Sequence, residues 1–254
     1  MTQKQRLEQI KKWLNIHHEM SLDEIMTLFQ VSRDTARRDL VKLEEDGEIV
    51  RIKGGAILPS HSYQVARYRE REISKSKEKI AQKACNFIHD HDSLILDTST
   101  TVELAARYVE SSGLKVVTNS IDIVNILSSR SNITIYMAGG KFNPYHRNFV
   151  GPYTAENIGK YKVNKLFIGA CGIGFEGLTS PDEEEACVKK AMIKAARQVI
   201  LLTDHTKFHK NFFHHVCGLS DIDIIITDQL PTEEMNQCFK EHHIELIISE
   251  EETE

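Results

Sequence analysis

Two hydrophobic periods divide the chain. Over the first quarter, apolar residues recur at helical spacing. Leu7, Ile10 and Leu14 mark one face of a helix from about Lys4 to Asn15. Ser21 and Glu24 form a capping box, Met20 and Ile25 can close over it as a staple, and Leu22, Ile25, Met26 and Phe29 share a face. The pattern predicts a short helix from about Ser21 to Phe29. Gln30 and Val31 then turn the chain, and Ser32 caps a second helix with Asp34 in its positively polarised first turn. Ala36, Leu40 and Leu43 define the buried stripe of that helix, while Arg33, Thr35, Arg37, Arg38 and Lys42 lie opposite. EIVRIKGGAIL follows as two short strands around Gly54-Gly55, a hairpin signal.

From Pro59 to about Lys79 aliphatic residues thin out. PSHSYQVARYREREISKSKEK carries six Lys/Arg and reads as a polar linker running into a helix, more a solvated connector than a DNA contact. Beyond Ile80 the period switches. After a helix over Ile80–His89, short runs rich in Ile, Val and Leu alternate with helical stretches: SLILD, LKVVTNS, NITIYMAGG, KLFIGACGI, VILLTD, IDIIITD and IELIIS are the strands. Between them, TTVELAARYVESS, IDIVNILSS, YTAENIGKY, EEEACVKKAMIKAARQ and EEMNQCFKEH are helical. This is the pattern of a mostly parallel, Rossmann-like sheet covered on both faces, so the fold class is α/β. We divide the chain into a head (1–58), a linker and helix start (59–79), an α/β domain (80–248) and an acidic tail (249–254).

Composition narrows the classes. The 254 residues are 41% hydrophobic and 27% charged, values of a soluble globular protein. No apolar run has membrane-helix length and no signal peptide is evident, which places the protein in the cytoplasm. The five cysteines show no paired spacing and read as reduced thiols; the histidines are scattered, and no metal site or cofactor is expected. Net charge is −5, and residues 1–60 balance ten Lys/Arg against ten Asp/Glu. Contact with a polyanion therefore depends on how charge is placed, and suggests a dimer or higher oligomer on repeated half-sites.

The head has the layout of a winged helix–turn–helix, with guanidinium forks set to meet phosphates or guanine and a hairpin wing on the backbone. Contacts to double-stranded operator DNA are assigned to Ser21, Ser32, Arg33, Thr35, Arg37, Arg38, Lys42, Arg51 and Lys53.

In an open α/β sheet, ligands gather beyond the carboxyl ends of the strands. Asp97, Thr98, Ser99, Thr100 and Thr101 follow one strand and lead into a helix, where hydroxyls and free N–H groups suit an anion. Thr118, Asn119 and Ser120 follow the next. Gly139, Gly140 and Lys141 follow a third, Cys171 and Gly172 a fourth, and Asp204 and Lys207 a fifth. Each is also ordinary cap and turn chemistry, but five such ends on one rim indicate a small anionic ligand. Glu185 and Lys189 lie at i, i+4; periodicity leaves open whether they form a surface ion pair or face a cleft.

Taken together, RLEQIKKWL, the capped SLDEIMTLFQVSRDTARRDLVKLEEDGEIVRIKGGA, and then DTSTTVELA, TNS, AGGKF, FIGACGI, GLTSPDEEEACVKKAMIKAA and LLTDHTKF resemble the DeoR family of bacterial transcriptional regulators, in one register over about Arg6 to Asp228. The resemblance implies a winged helix–turn–helix joined to a sensor domain related in fold to ribose-phosphate isomerases and glucosamine-phosphate deaminases. It implies binding of a phosphorylated sugar, and repression of a sugar-catabolic operon as a dimer or tetramer. It makes Asp97 to Thr101 the phosphate loop, Thr118-Asn119-Ser120 a second contact, and Gly139, Gly140, Glu185, Lys189, Asp204 and Lys207 the rest of the pocket. Two positions depart from the pattern. Ser99 stands where the loop usually has glycine, bringing a side chain near the phosphate. Cys171 stands where the related isomerases carry a catalytic aspartate, and without that carboxylate a general base is missing. The expectation is a DNA-binding repressor released by a phosphorylated sugar, and no enzyme. The rivals are a sugar-phosphate isomerase or deaminase with a helical appendage, and an activator or protein-binding regulator.

Overall fold

A computed structural model describes residues 2–17, 19–46, 48–57 and 73–249. The chain divides into two compact units, residues 1–64 and 65–254. The connector arginines Arg67, Arg69 and Arg71 and the acidic residues 250–254 lie outside the described residues.

In the first unit, α1 (Gln3–His17), β1 (Glu19–Ser21), α2 (Leu22–Phe29), α3 (Arg33–Glu45), β2 (Val50–Ile52) and β3 (Gly55–Ile57) follow one another. Ile10 and Leu14 of α1, Ile25 of α2, and Ala36, Leu40 and Leu43 of α3 bury one core with Met20, Ile49 and Ala56. The stripe read from periodicity is therefore the observed interior. The wing has three strands rather than two, in the order β1-β3-β2, because Glu19–Ser21 pairs antiparallel with Ile57–Gly55. Both wing glycines have a reason: Gly54 takes φ +96° in the turn, and a side chain at Gly55 would collide with the Met20 carbonyl of β1.

The second unit opens with α4 (Lys75–Cys85), capped by Ser74, so Lys75, Lys77 and Lys79 are helical. Then come β4 (Ser93–Leu96), α5 (Thr100–Tyr108), β5 (Leu114–Thr118), α6 (Ile121–Leu127), β6 (Ile133–Met137), β7 (Lys141–Asn143), β8 (Asn148–Val150), α7 (Pro152–Gly159), β9 (Val163–Gly169), β10 (Gly172–Gly174), β11 (Gly177–Ser180), α8 (Glu183–Ala195), β12 (Ala196–Leu202), β13 (His214–Cys217), β14 (Ile224–Thr227), α9 (Glu233–Glu241) and β15 (Glu245–Ile248). Seven strands form one parallel sheet in the order β15-β14-β12-β9-β4-β5-β6.

Alternation along these strands feeds two interiors. Leu94, Leu96, Val116, Phe167, Ile200 and Ile226 face Ile80, Val102, Ala105, Ile123 and Leu127 of α4, α5 and α6. Ile95, Val117, Leu166, Ile168, Leu201 and Ile225 face Ile158, Met192 and Phe239 of α7, α8 and α9. Burying a side chain such as Phe167 or Phe239 stabilises by about 1.5–3 kcal/mol. No helix among the described residues is long and apolar enough to cross a membrane.

Several boundaries differ from the sequence reading. The helix expected over Glu183–Gln198 ends at Ala195, and Ala196 starts β12 directly, because Ala196 and Gln198 pair with Val163 and Lys165 of β9. The helix expected over Thr100–Ser112 stops at Tyr108. KLFIGACGI is two strands: β9 ends at Gly169, and Gly172–Gly174 leaves for a small antiparallel sheet, β10-β11-β13. That sheet and the β7–β8 hairpin were not anticipated, since their short strands are too polar or glycine-rich to show a period.

Candidate DNA-binding helix and effector site

In the head, Ser21 accepts the Glu24 backbone N–H on its hydroxyl at 3.1 Å, while the Glu24 carboxylate takes the Ser21 backbone N–H at 2.7 Å. This completes the capping box that starts α2. Gln30 adopts φ +50° to end it, and Ser32 caps α3 by accepting the Thr35 N–H at 3.3 Å. Both hydroxyls are thus used inside the fold. Of the cations assigned to DNA, Lys42 pairs with Asp46 at 3.0 Å and Arg51 with Glu44 at 2.6 Å. The Arg51 guanidinium and backbone N–H hold the Glu44 carboxyl below its usual range. Arg33, Arg37 and Arg38 are exposed and enter no ion pair among the described residues, Thr35 is half-buried beside them, and Lys53 is exposed at the wing turn. Among the described residues, Glu44 and Asp46 thus pair with cations at the C-terminal end of α3 and the wing, while Arg33, Arg37 and Arg38 share their exposed face with Asp34 and form no ion pair.

One feature of α3 escaped the sequence reading. Asp39 is fully buried, with its oxygens taking Nε and Nη2 of Arg6 at 2.6 and 3.2 Å and Nε2 of Gln3 at 3.0 Å. The hydrogen bond to Asp39 raises the Arg6 pKa above its ordinary value, against a smaller lowering by burial and with the Asp39 charge adding to the rise. The signal was present in the spacing, since Asp39 falls between Ala36 and Leu43 on the apolar stripe. The pair ties α1 to α3.

In the α/β unit, chain order fixes where a ligand can sit. From β4 the chain winds outward through β5 and β6, then returns to β9 on the other side of β4 and winds outward again. The crevice beyond the carboxyl ends of β4 and β9 is the topological switch point. Asp97 follows β4 there, and Gly169 ends β9. Asp97 Oδ2 accepts the Gly169 N–H at 3.1 Å and the Lys189 ammonium, which also donates to the Gly169 carbonyl at 2.9 Å. Burial alone would lower the Lys189 pKa; the charges of Asp97, Cys171 and Glu185 and the bond to Asp97 outweigh it and raise the pKa above the ordinary lysine value. The i, i+4 pair Glu185–Lys189 thus faces inward, both residues being buried.

From this pair a ring of contacts runs around the rim. Thr98 donates to Asn119 Oδ1 at 3.0 Å, Asn119 donates to the Phe149 carbonyl at 2.9 Å, and the Phe149 N–H returns to the Asn119 carbonyl at 2.9 Å. Asn148 Nδ2 donates to Glu185 Oε1 at 3.2 Å, and α8 leads back from Glu185 to Lys189 and Asp97. The first turn of α5 opens at this rim, with the Thr100 and Thr101 N–H groups lacking intrahelical partners. Ser99 does not project freely: it caps Val102 N–H at 3.4 Å and packs against the Cα face of Gly169, leaving no room there for a β-carbon.

The remaining rim residues divide. Thr118 donates to the Leu96 carbonyl at 2.7 Å and accepts the Ser120 N–H at 3.1 Å, and Ser120 caps α6. Gly139 gives its carbonyl to Thr154 and Asn157, Gly140 packs on Thr154, and Lys141 is exposed and paired with Glu184 at 2.7 Å. Gly172 backs onto the Lys210 carbonyl. Asp204 caps the turn His205–Lys207 through Thr206, and half-buried Lys207 lies on that turn. Of the residues read from the sequence, the structure brings Asp97, Thr98, Asn119, Glu185 and Lys189 together; the sequence reading did not single out Asn148 and His146, which lie beside Glu185, or a His205–Asp228 pair at 2.7 Å. Asp228 was legible as the residue ending IDIIITD; Asn148 and His146 lie in a polar, proline-containing segment without periodicity. Among the described residues no three His, Cys, Asp or Glu side chains gather as a metal site.

Comparison with known proteins agrees with this division of labour. Residues 6–62 match the DeoR-like helix-turn-helix domain and residues 72–229 the DeoR C-terminal sensor domain. The HTH-type transcriptional repressor GlcR of Bacillus subtilis is 42% identical, over 99% of this chain and 98% of its own. The glycerol-3-phosphate regulon repressor of Escherichia coli is 32% identical, over 98% of this chain and 100% of its own. Among solved structures, ribose 5 phosphate isomerase A from Neisseria gonorrhoeae is a distant likeness at 13% identity and a TM-score of 0.39, over 52% of each chain. With a helix–turn–helix whose outer arginines are open, a sensor core wound about a switch point, and relatives matched end to end, the chain belongs to the DeoR family of transcriptional regulators.

Proposed function

We propose that this protein is a cytoplasmic repressor of a carbohydrate operon that binds operator DNA as a homodimer or homotetramer and is released by a phosphorylated sugar. The observation that carries the effector reading is the Lys189–Asp97–Gly169 cluster at the switch point, beside the opening turn of α5. Peptide N–H groups at a helix start favour an anion, and the phosphate would rest over Thr98 to Thr101. Asn119, Glu185 and Lys189 would meet the sugar, with Gly139, Gly140, Lys141, Cys171, Gly172, Asp204 and Lys207 on its outer margin. The names of the relatives support repression, in one case of a glycerol-3-phosphate regulon.

Arg33, Arg37 and Arg38 would carry DNA recognition, with Lys53 and the wing on the phosphate backbone. Lys42, Arg51 and Thr35 flank that surface, and Ser21 and Ser32 present their helix starts to it. The effector shifts the DNA-bound population only by its difference in affinity between two arrangements of the protein, and about 5.5 kcal/mol carries a 1:99 equilibrium to 99:1. A catalytic role is disfavoured because Lys189 is committed to Asp97 and position 171 offers a thiol in place of a carboxylate. The experiment is selection of bound genomic fragments, then titration of the best fragment–protein complex with phosphorylated sugars. Release by one of them, with no turnover of it, is the expected result; turnover would favour the enzyme reading.

A further inference from the structure

Asn148 is 3% exposed, and its Oδ1 has no hydrogen-bond partner among the described residues. Its orientation is set from both sides. The Nδ2 group donates to Glu185 Oε1, so the oxygen is the end left over. The Asn148 backbone bridges antiparallel to Ser120, and the neighbouring Phe149 is bonded in both directions to Asn119. The side chain is therefore fixed between the end of β5 and the first turn of α8. A buried carbonyl without a donor costs stability, so such a group in a site points to a partner that arrives from outside. Glu185, also buried, brings carboxylate oxygens to the same place, with His146 Nε2 3.9 Å from Oε1.

We infer that Asn148 and Glu185 form an acceptor subsite that reads a hydroxyl of the effector, at the end of the ligand away from its phosphate. This rests on the phosphorylated-sugar reading above and adds the division of the pocket into two ends. The start of α5, with its N–H groups, is a donor site and suits the phosphate. Asn148 Oδ1 and Glu185 are acceptors; they repel a phosphate and require O–H donors. A phosphorylated polyol or sugar with a free hydroxyl at the right carbon satisfies both ends, and a deoxy analogue leaves the acceptors unpaired. A site built around a ligand hydroxyl rejects the analogue lacking it far better than an apolar pocket can. This subsite would therefore set which sugar phosphate the protein answers to.

The test uses the full chain and calorimetric titration with inorganic phosphate, hexose 6-phosphates and their monodeoxy analogues. The wild-type protein should bind one hexose 6-phosphate and lose about 10-fold or more in affinity when one particular hydroxyl is absent. Asn148→Leu should weaken that sugar phosphate by a similar factor, become indifferent to the same deoxygenation, and leave inorganic phosphate affinity unchanged. Glu185→Gln, which removes the carboxylate acceptor beside Asn148 Nδ2, should likewise weaken that sugar phosphate and blunt its dependence on the same hydroxyl, without weakening inorganic phosphate. Thermal melts of both variants check folding. Undiminished discrimination in both folded variants overturns the subsite while leaving the phosphorylated-sugar reading intact. Equal loss of phosphate and sugar-phosphate binding in folded variants also overturns it. Failure of the wild-type protein to bind any sugar phosphate overturns both.

Discussion

The Lys189 ammonium bridges Asp97 Oδ2 and the carbonyl of Gly169, so one side chain from α8 ties the end of β9 to the residue that follows β4. Both charges are buried. Removing one partner strands the other. Lys189→Met should destabilise the α/β unit by about 3–5 kcal/mol, and Asp97→Asn/Lys189→Met together by much less. Urea unfolding of the two single variants and the double measures this. Strict additivity would mean that the pair is not coupled.

Ser99 and Gly169 make a second paired prediction. The serine side chain occupies the space that a β-carbon at 169 would need. Gly169→Ala should cost about 1–3 kcal/mol from overpacking, and Ser99→Gly in the same chain should recover most of it. Melting temperatures of the three variants give the answer.

For the head, Arg37→Ala and Arg38→Ala should leave the fold unchanged because both side chains are exposed and unpaired among the described residues. Each should weaken operator binding by about 1–3 kcal/mol if it reads a base, or flatten the salt dependence if it contacts phosphate. Anisotropy titrations at two or more salt concentrations distinguish the cases. Unchanged affinity in both variants would remove α3 as the recognition helix.

Stability should fall on the alkaline side. Burial pushes Cys85 to about 11 and Cys217 to about 12 from 9.0. A raised thiol pKa means that the unfolded chain ionises first, so stability is intact below pH 9 and is lost as pH rises toward the folded values. Lys189 adds to this above 10.5, where its raised pKa protects a charge that the unfolded chain has lost. The urea midpoint should drop between pH 9 and 11, less so in Cys217→Ala than in wild type. At pH 8 both thiols should resist alkylation.

The sequence made the fold legible wherever one residue reports a whole period or cap. Ser21 with Glu24 announced α2, Ala36, Leu40 and Leu43 announced the interior of the head, and runs such as SLIL and IIIT announced buried parallel strands. It was silent where short strands are held by neighbours, as in β7–β8 and β10-β11-β13. The site followed the same division. Residues directly after a strand, such as Asp97, Thr98 and Asn119, could be read from position alone. Asn148 could not, because its place depends on the bridge from β8 to Ser120, a contact 28 residues away in sequence. The inward direction of Glu185 and Lys189 needed the third dimension, since i, i+4 spacing says only that they share a face.

Binding of a phosphorylated sugar at the switch point is best checked by a thermal-shift screen, with each phosphorylated sugar run beside its unphosphorylated parent. A ligand at 100 times its dissociation constant adds about 2.7 kcal/mol of stability and raises the melting temperature by several degrees. The expected shift is confined to one phosphorylated compound or a close group, absent with the parents and abolished by Asp97→Asn/Lys189→Met. Equal shifts with parent sugars, or none across the panel, would contradict it.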